Sequence, residues 1–227
     1  MRPANSDLEW SVVRVAGSQA ENFLQGQLSQ DVTALSGSGE WSLVLSPESV
    51  VLSSCLVRRD ENVFTLLVSR SLADAVAQRL RKFKVRVDCT VEVENTTQGP
   101  YLNFATMVES RWPGANEFAA QLTPQSFGAR FVRTTVSFTK GCYTGQELVG
   151  RLDARGASVP WRLVHVRGPS LERLDEVLCS KGPAGPAGVT TAVRTGQSVR
   201  GLGFAHRSLF ASLHLDAFPD VSIEEVP

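Results

Sequence analysis

Apolar and polar positions alternate in short blocks over the first ninety residues, and turn-forming runs separate the blocks. Leu8 to Val15 is apolar-rich and predicts a strand. Ser18 then stands as an N-cap for a helix through Glu21, Phe23, Leu24 and Leu28, with apolar spacings of three and four. Trp41 to Leu45, Val50 to Arg58 and Asn62 to Ser69 predict three further strands, parted by turns at Ser46-Pro47-Glu48-Ser49 and Arg59-Asp60-Glu61-Asn62. Ser71 caps a second helix in which Leu72, Ala75, Val76, Arg79, Leu80 and Phe83 keep helical spacing. Val85, Val87, Cys89, Val91 and Val93 then alternate as a half-buried strand.

The pattern weakens from Thr96 to Pro124, where Gly99-Pro100 and Pro113-Gly114 interrupt it, and predicts a connection with one short strand and one short helix. Ser126 to Val136 predicts a helix carrying Phe127, Phe131 and Val132, followed by a glycine-spaced turn and another helix from Gly145 to Asp153. After Gly156 the pattern is strand and turn only: Trp161 to Arg167, Glu172 to Ser180, Gly188 to Arg194, Val199 to His206 and Ser212 to Leu215. Strands mixed with helices, then five short strands, predict an α+β portion followed by a small antiparallel barrel or sandwich. The run from Gly182 to Gly188 has two collagen-like triplets, too few for a triple helix, and reads as a strand connection. The acidic tail from Asp216 reads as a partly solvated terminus.

At 227 residues and 42% hydrophobic, the chain can bury at least one sizeable core. No run nears the ~18 to 20 apolar residues of a membrane span, and Met1 to Ser11 has no signal-peptide pattern, so a cytoplasmic protein without a membrane partner is expected. Twenty-three basic residues balance twenty-three acidic ones, which removes a global field for nucleic acid. Cys55, Cys89, Cys142 and Cys179 lie far apart without a CxxC pair, which argues against zinc, a resident iron-sulfur cluster and a disulfide framework. Cys55, Cys89 and Cys179 fall in apolar strand patterns and read as core residues, and His165, His206 and His214 as structural or surface residues.

The densest constellation is Lys140-Gly141-Cys142-Tyr143-Thr144-Gly145-Gln146-Glu147. Its glycines bracket a tight bend, and backbone N-H groups at the following helix start and Lys140 are the two devices that favour a thiolate at Cys142. The alternative is a small buried cysteine between two turn glycines. From Ser126 to Arg167 seven cations, Arg130, Arg133, Lys140, Arg151, Arg155, Arg162 and Arg167, face two anions, Glu147 and Asp153. That excess suits either an anionic ligand or a solvated helix face.

The octapeptide resembles the signature of the YgfZ family of folate-binding proteins, relatives of the glycine-cleavage T-protein, or aminomethyltransferase. Phe23-Leu24-Gln25-Gly26-Gln27-Leu28-Ser29-Gln30-Asp31-Val32 resembles the family's first-helix motif, and Leu122-Thr123-Pro124-Gln125 its stretch upstream of the signature. Arg151, Arg155 and Gly156 fall where its post-signature residues fall, and Gly188-Val189-Thr190-Thr191 and Gly201-Leu202-Gly203-Phe204 resemble its barrel strands. The resemblance implies a shortened folate-binding domain over residues 1–156 and a C-terminal β-barrel over 157–227. It implies a tetrahydrofolate-type cofactor, whose pterin stacks on aromatic rings and whose glutamates pair with cations. Trp10 occupies the place of the family's folate-linked tryptophan, or is a core or rim tryptophan. Lys140, Arg151 and Arg155 are the cationic candidates, and Tyr143, Gln146 and Glu147 complete the cofactor-binding set, although Glu147 reads more simply as a first-turn acid favoured by the helix dipole.

Where T-proteins carry an aspartate essential to aminomethyl transfer, this chain reads Val51-Leu52-Ser53-Ser54-Cys55. Where YgfZ-like chains show Lys-Gly-Arg or Lys-Gly-Lys, it reads Glu48-Ser49-Val50. The resemblance thus implies an accessory protein that supports iron-sulfur cluster assembly or repair, with Cys142 as its functional thiol and client iron-sulfur proteins or assembly factors as partners. A folate-dependent aminomethyltransferase-like one-carbon transferase is the alternative, and a partner-binding module without folate a third. No nucleic acid is expected as a partner.

Overall fold

The computed structural model describes residues 8–96, 99–101, 103–156, 158–212 and 218–227. The chain forms two compact units, one built from Glu9–Pro100 and Val132–Arg155, the other mainly from Tyr101–Phe131 and Gly156–Pro227. None of the described helices is long and apolar enough to cross a membrane.

The first unit is a five-stranded antiparallel sheet of β1 (Trp10–Ala16), β2 (Glu40–Leu45), β3 (Val51–Asp60), β4 (Val63–Ser69) and β5 (Thr90–Thr96), in the order β2-β3-β4-β1-β5. The two-residue period sets its buried face: Val13 and Val15 on β1, Phe64, Leu66 and Val68 on β4, and Cys55 and Val57 on β3. Helix α1 (Ala20–Gln25) adds Phe23 and Leu24 to this core, and α2 (Arg70–Phe83) adds Ala73, Val76, Ala77 and Leu80.

Three expected boundaries move for local reasons. Ser18 is not the cap of α1, because its hydroxyl bonds Asp88 Oδ2 at 2.6 Å and Gln19 precedes the helix. Helix α2 starts at Arg70 after Ser69, ahead of the expected Ser71. The alternating run from Val85 does not pair until Thr90: Arg86 adopts a left-handed φ of +57° and Val85 is 71% exposed.

In the second unit, two helices replace the strand and helix expected after Thr96: α3 (Phe104–Ser110), capped by Asn103, and α4 (Ala115–Phe118). The helix expected from Ser126 to Val136 is divided at Gly128, φ +99°, into a 3-10 turn at Pro124–Phe127 and α5 (Ala129–Thr135). Helix α6 (Gln146–Ala154) begins one residue after the expected Gly145 and belongs to the first unit.

The chain after Gly156 is not strand and turn only. Between β6 (Trp161–Gly168) and β7 (Gly188–Thr195), the stretch expected as a strand from Glu172 forms α7 (Leu171–Leu178). Ser170 caps it, and Leu171, Leu174 and Leu178 recur at helical spacing against the sheet. Strand β8 (Ser198–His206), helix α8 (Arg207–Ser212) and β9 (Ser222–Glu225) follow, and the acidic tail, expected as a partly solvated terminus, keeps three of the four β9 residues exposed while pairing with β6. The sheet order is β7-β8-β6-β9, an open antiparallel sheet among the described residues where a closed barrel was expected. Phe118, Phe127, Phe131 and Phe204 form the unit's aromatic cluster, with ring centroids 5.3 to 6.2 Å apart. The strand expected at Ser212 to Leu215 runs into residues outside those described, as does His214.

Candidate functional site

The signature lies between α5 and α6, within the first unit. Lys140 fixes its start. The ammonium donates to the carbonyls of Gln25, Leu28 and Gln30 at 2.7, 2.8 and 2.9 Å, so its three donors meet three acceptors at the end of α1 and just after it. Burial pushes the Lys140 ammonium down to about 8, while the Asp31 carboxylate pulls the other way. Asp31 itself is held below its ordinary value, chiefly by the Thr33 hydroxyl.

Gly145 fixes the other end. Its φ is +83°, and a Cβ there would come within 2.5 Å of the Ser46 carbonyl oxygen, so only glycine suits the position. Thr144 N-H donates to the Gly26 carbonyl at 3.0 Å, which binds the bend to the first-helix motif. Gln146 Oε1 accepts from Tyr143 N-H at 3.2 Å and closes the turn on itself.

The hairpin turn at Ser46 to Ser49 packs directly on this bend. Ser49 is buried with a left-handed φ of +68°, and its hydroxyl donates to the Gly145 carbonyl at 2.6 Å. The serine thus takes a conformation that favours glycine, and the hydrogen bond offsets the strain. Ser49→Ala, which keeps the strain and loses the bond, is expected to lower stability by about 1 to 2 kcal/mol, and Ser49→Gly to stay within about 0.5 kcal/mol of wild type. Urea unfolding of the two variants checks this.

Cys142 stands exposed on the clamped bend, and no hydrogen bond reaches its Sγ among the described residues. Tyr143, beside it, is buried, which pushes its phenol up to about 12, and its ring centroid lies 5.2 Å from Lys140 Nζ. Glu147 and Arg151 pair across one turn on the exposed face of α6, and Arg155 is exposed just beyond it. Of the seven cations, Arg133, Lys140, Arg151 and Arg155 belong to this unit and Arg130, Arg162 and Arg167 to the other. Arg162 holds both oxygens of Glu225 at 2.7 Å.

Trp10 sits at the start of β1, 7% exposed, and Gly99 lies so close to the indole that no Cβ fits between them. Of the cysteines expected in the core, Cys55 and Cys89 are buried, and burial pushes the Cys55 thiol up to about 12. Cys179 instead is exposed at the end of α7, because its stretch is a helix and not a strand. His165 and His206 are half-buried in β6 and β8. Sequence reasoning passed over Arg79 of α2, which bonds Gln27 Oε1 at 2.9 Å beside Thr144 of the signature. The available signal was a guanidinium standing among the apolar positions of the α2 stripe.

The chain is 26% identical over 193 residues to an uncharacterized protein of Haemophilus influenzae, covering 66% of this chain and 68% of that protein. It is 24% identical over 221 residues to the tRNA-modifying protein YgfZ of an Enterobacter species, covering 66% and 67%. Its fold is similar to that of the glycine cleavage system aminomethyltransferase T of Bartonella henselae, with a TM-score of 0.57 at 13% identity over 90% of this chain and 80% of the other. No family model matches the chain. The chain is therefore a distant relative of YgfZ with a T-protein-like fold, as the signature led one to expect.

Proposed function

We propose that the protein is a YgfZ-like accessory protein that binds a tetrahydrofolate and supports assembly or repair of iron-sulfur clusters in client enzymes, with Cys142 as its working thiol. One observation carries this reading: Cys142 is exposed on a bend fastened on one side by Lys140 and on the other by the Ser49 bond to Gly145. A thiol presented on a rigid support suits transient ligation of iron at a client's surface. Lys140, Tyr143 and Gln146 act here by positioning the bend, since their polar groups or rings are engaged within it. Arg151 and Arg155, exposed on α6 and at its end, are the candidates to meet the ligand's anionic end, and Glu147 holds Arg151 through their ion pair. Trp10, 7% exposed and closed over by Gly99, remains the aromatic candidate for the pterin within this proposal. The division into a folate-handling domain over 1–156 and a C-terminal domain over 157–227 belongs to the same proposal.

A one-carbon transferase gains no support from the hairpin, where Ser53 and Ser54 are buried hydroxyls in place of a carboxylate. The YgfZ relative bears the name of a tRNA-modifying protein, so a tRNA-modifying enzyme with an iron-sulfur cluster is the first client to test. The decisive experiment combines calorimetric titration with tetrahydrofolate and its 5-formyl derivative with client activity in cells lacking the protein. Cys142→Ala is expected to bind folate as wild type does and to fail in restoring client activity. Full restoration by Cys142→Ala sinks the thiol role, absence of folate binding sinks the folate role, and turnover of a methylated donor selects the transferase.

A further inference from the structure

The second unit carries a cleft of about 450 Å³ at one end of its sheet, where β6 runs out into Gly168 and Pro169, β8 begins at Ser198 and the chain enters β9. That volume is within the range of small-molecule sites. Arg167 and Ser222 line it from paired positions on β6 and β9, so their side chains stand side by side on one face of the sheet. Both residues are exposed. Among the described residues, neither the Arg167 guanidinium nor the Ser222 hydroxyl makes a hydrogen bond or an ion pair.

The charges beside Arg167 are matched. Asp220, in the wall of the cleft, accepts from Nε and Nη2 of Arg173 at 3.0 and 3.2 Å, and these bonds hold its carboxyl below the ordinary range. Arg200, opposite Arg167 on β8, pairs with Glu109. The wall is also fixed in advance: Arg173 Cζ lies 5.5 Å from the Phe218 ring centroid, and Val221 N-H donates to the Phe218 carbonyl at 3.1 Å. Arg167 is thus a reachable cation with one charge to match. A monoanion matches it, whereas a phosphate dianion would leave a negative charge beside Asp220. A guanidinium takes both oxygens of a carboxylate, and the Ser222 hydroxyl can donate to one of them. Pro169, Pro219 and Val221 supply apolar surface in the same cleft. We propose that this cleft binds a small monocarboxylate with an aliphatic body, its carboxylate on Arg167 and Ser222 and its body against Pro169, Pro219 and Val221. The site lies wholly in the second unit and shares no residue with the signature, so it stands or falls apart from the folate reading.

The test is an NMR titration of the full chain with sodium cyclohexanecarboxylate, following the backbone amides of Gly168 and Ser222. Both are expected to shift on one saturable isotherm in the millimolar range, as suits so small a ligand. Arg167→Gln should need about tenfold more ligand. Arg207→Gln, which removes an exposed cation beyond the far end of β8, should bind as wild type does. Ser222→Asp sets a carboxylate opposite Arg167 from within the sheet and should weaken binding similarly, which keeps the proposal testable if Arg167→Gln folds poorly. Four results overturn it: no saturable shift, an equal shift with cyclohexylmethanol, which has the body without the charge, tighter binding of inorganic phosphate, or equal weakening in Arg167→Gln and Arg207→Gln, which would make the effect one of net charge.

Discussion

Lys140→Met is expected to lower the unfolding free energy by about 3 kcal/mol, because one side chain supplies hydrogen bonds to three carbonyls that no other described donor meets in the same way. Each bond from a charged donor is worth about 1.5 to 3 kcal/mol, and the loss falls below their sum because water reaches part of the vacated space. For a chain of this size the change corresponds to a midpoint lowered by roughly 6 to 12 °C. Lys140→Arg should not rescue it. The three acceptors converge on one point, which suits an ammonium with three rotating donors, whereas a guanidinium spreads its donors across a plane. Calorimetry of the two variants gives the energy, and hydrogen exchange locates it. The Thr144 N-H, bonded to Gly26, should lose protection in Lys140→Met, while amides of β6 and β8 keep theirs. Equal loss of protection throughout would mean that Lys140 stabilises the chain globally and does not hold the bend in particular.

The contrast between what was legible and what was not follows from the range over which the forces act. Four strands of the first sheet were readable to within a residue or two, and the fifth began five residues later than expected, because alternation is local: Phe64, Leu66 and Val68 face one core whatever strand pairs with β4. The signature was equally readable, since Gly145 needs its glycine for a conformation recorded in the chain itself. Helix α7 was missed because eight residues with apolar positions at Leu171, Leu174, Val177 and Leu178 fit a short apolar run of either kind, and the cap at Ser170 was the deciding sign. The barrel rested partly on the same reading, since one supposed strand is that helix, and the second sheet shows no closure among the described residues. The partners of Lys140 were invisible: backbone carbonyls 110 to 115 residues away leave no mark on composition or spacing. Its charge alone suggested an anion, and the structure gives it carbonyls.

Glu117 carries the second large effect, and its sign depends on pH. The side chain is fully buried in the second unit. Its Oε1 accepts from the Thr190 and Thr191 hydroxyls at 2.6 Å each, and its Oε2 from Gly114 N-H at 2.8 Å. No cation pairs with it among the described residues. Burial raises its carboxyl above the ordinary range, and the hydroxyls of Thr190 and Thr191 oppose that shift without cancelling it. A carboxyl raised in the folded state gives its full stabilisation below the unfolded value near 4.5 and loses it as pH rises through the folded value. Wild type should therefore lose stability on this limb by up to about 1.4 kcal/mol per pH unit. Glu117→Gln removes the slope while keeping the shape: its carbonyl can accept from Gly114 N-H, and its amide can donate to the two threonine oxygens, since Thr190 also bonds the Leu202 carbonyl at 3.1 Å. Measured against wild type, the glutamine variant should gain ground steadily as pH rises above 5. Glu117→Val should lose about 2 to 4 kcal/mol at low pH, because it leaves Gly114 N-H and the threonines without their acceptor. Parallel unfolding curves for wild type and Glu117→Gln across that range would show that the carboxyl keeps its charge in the fold, and that its three donors outweigh its burial.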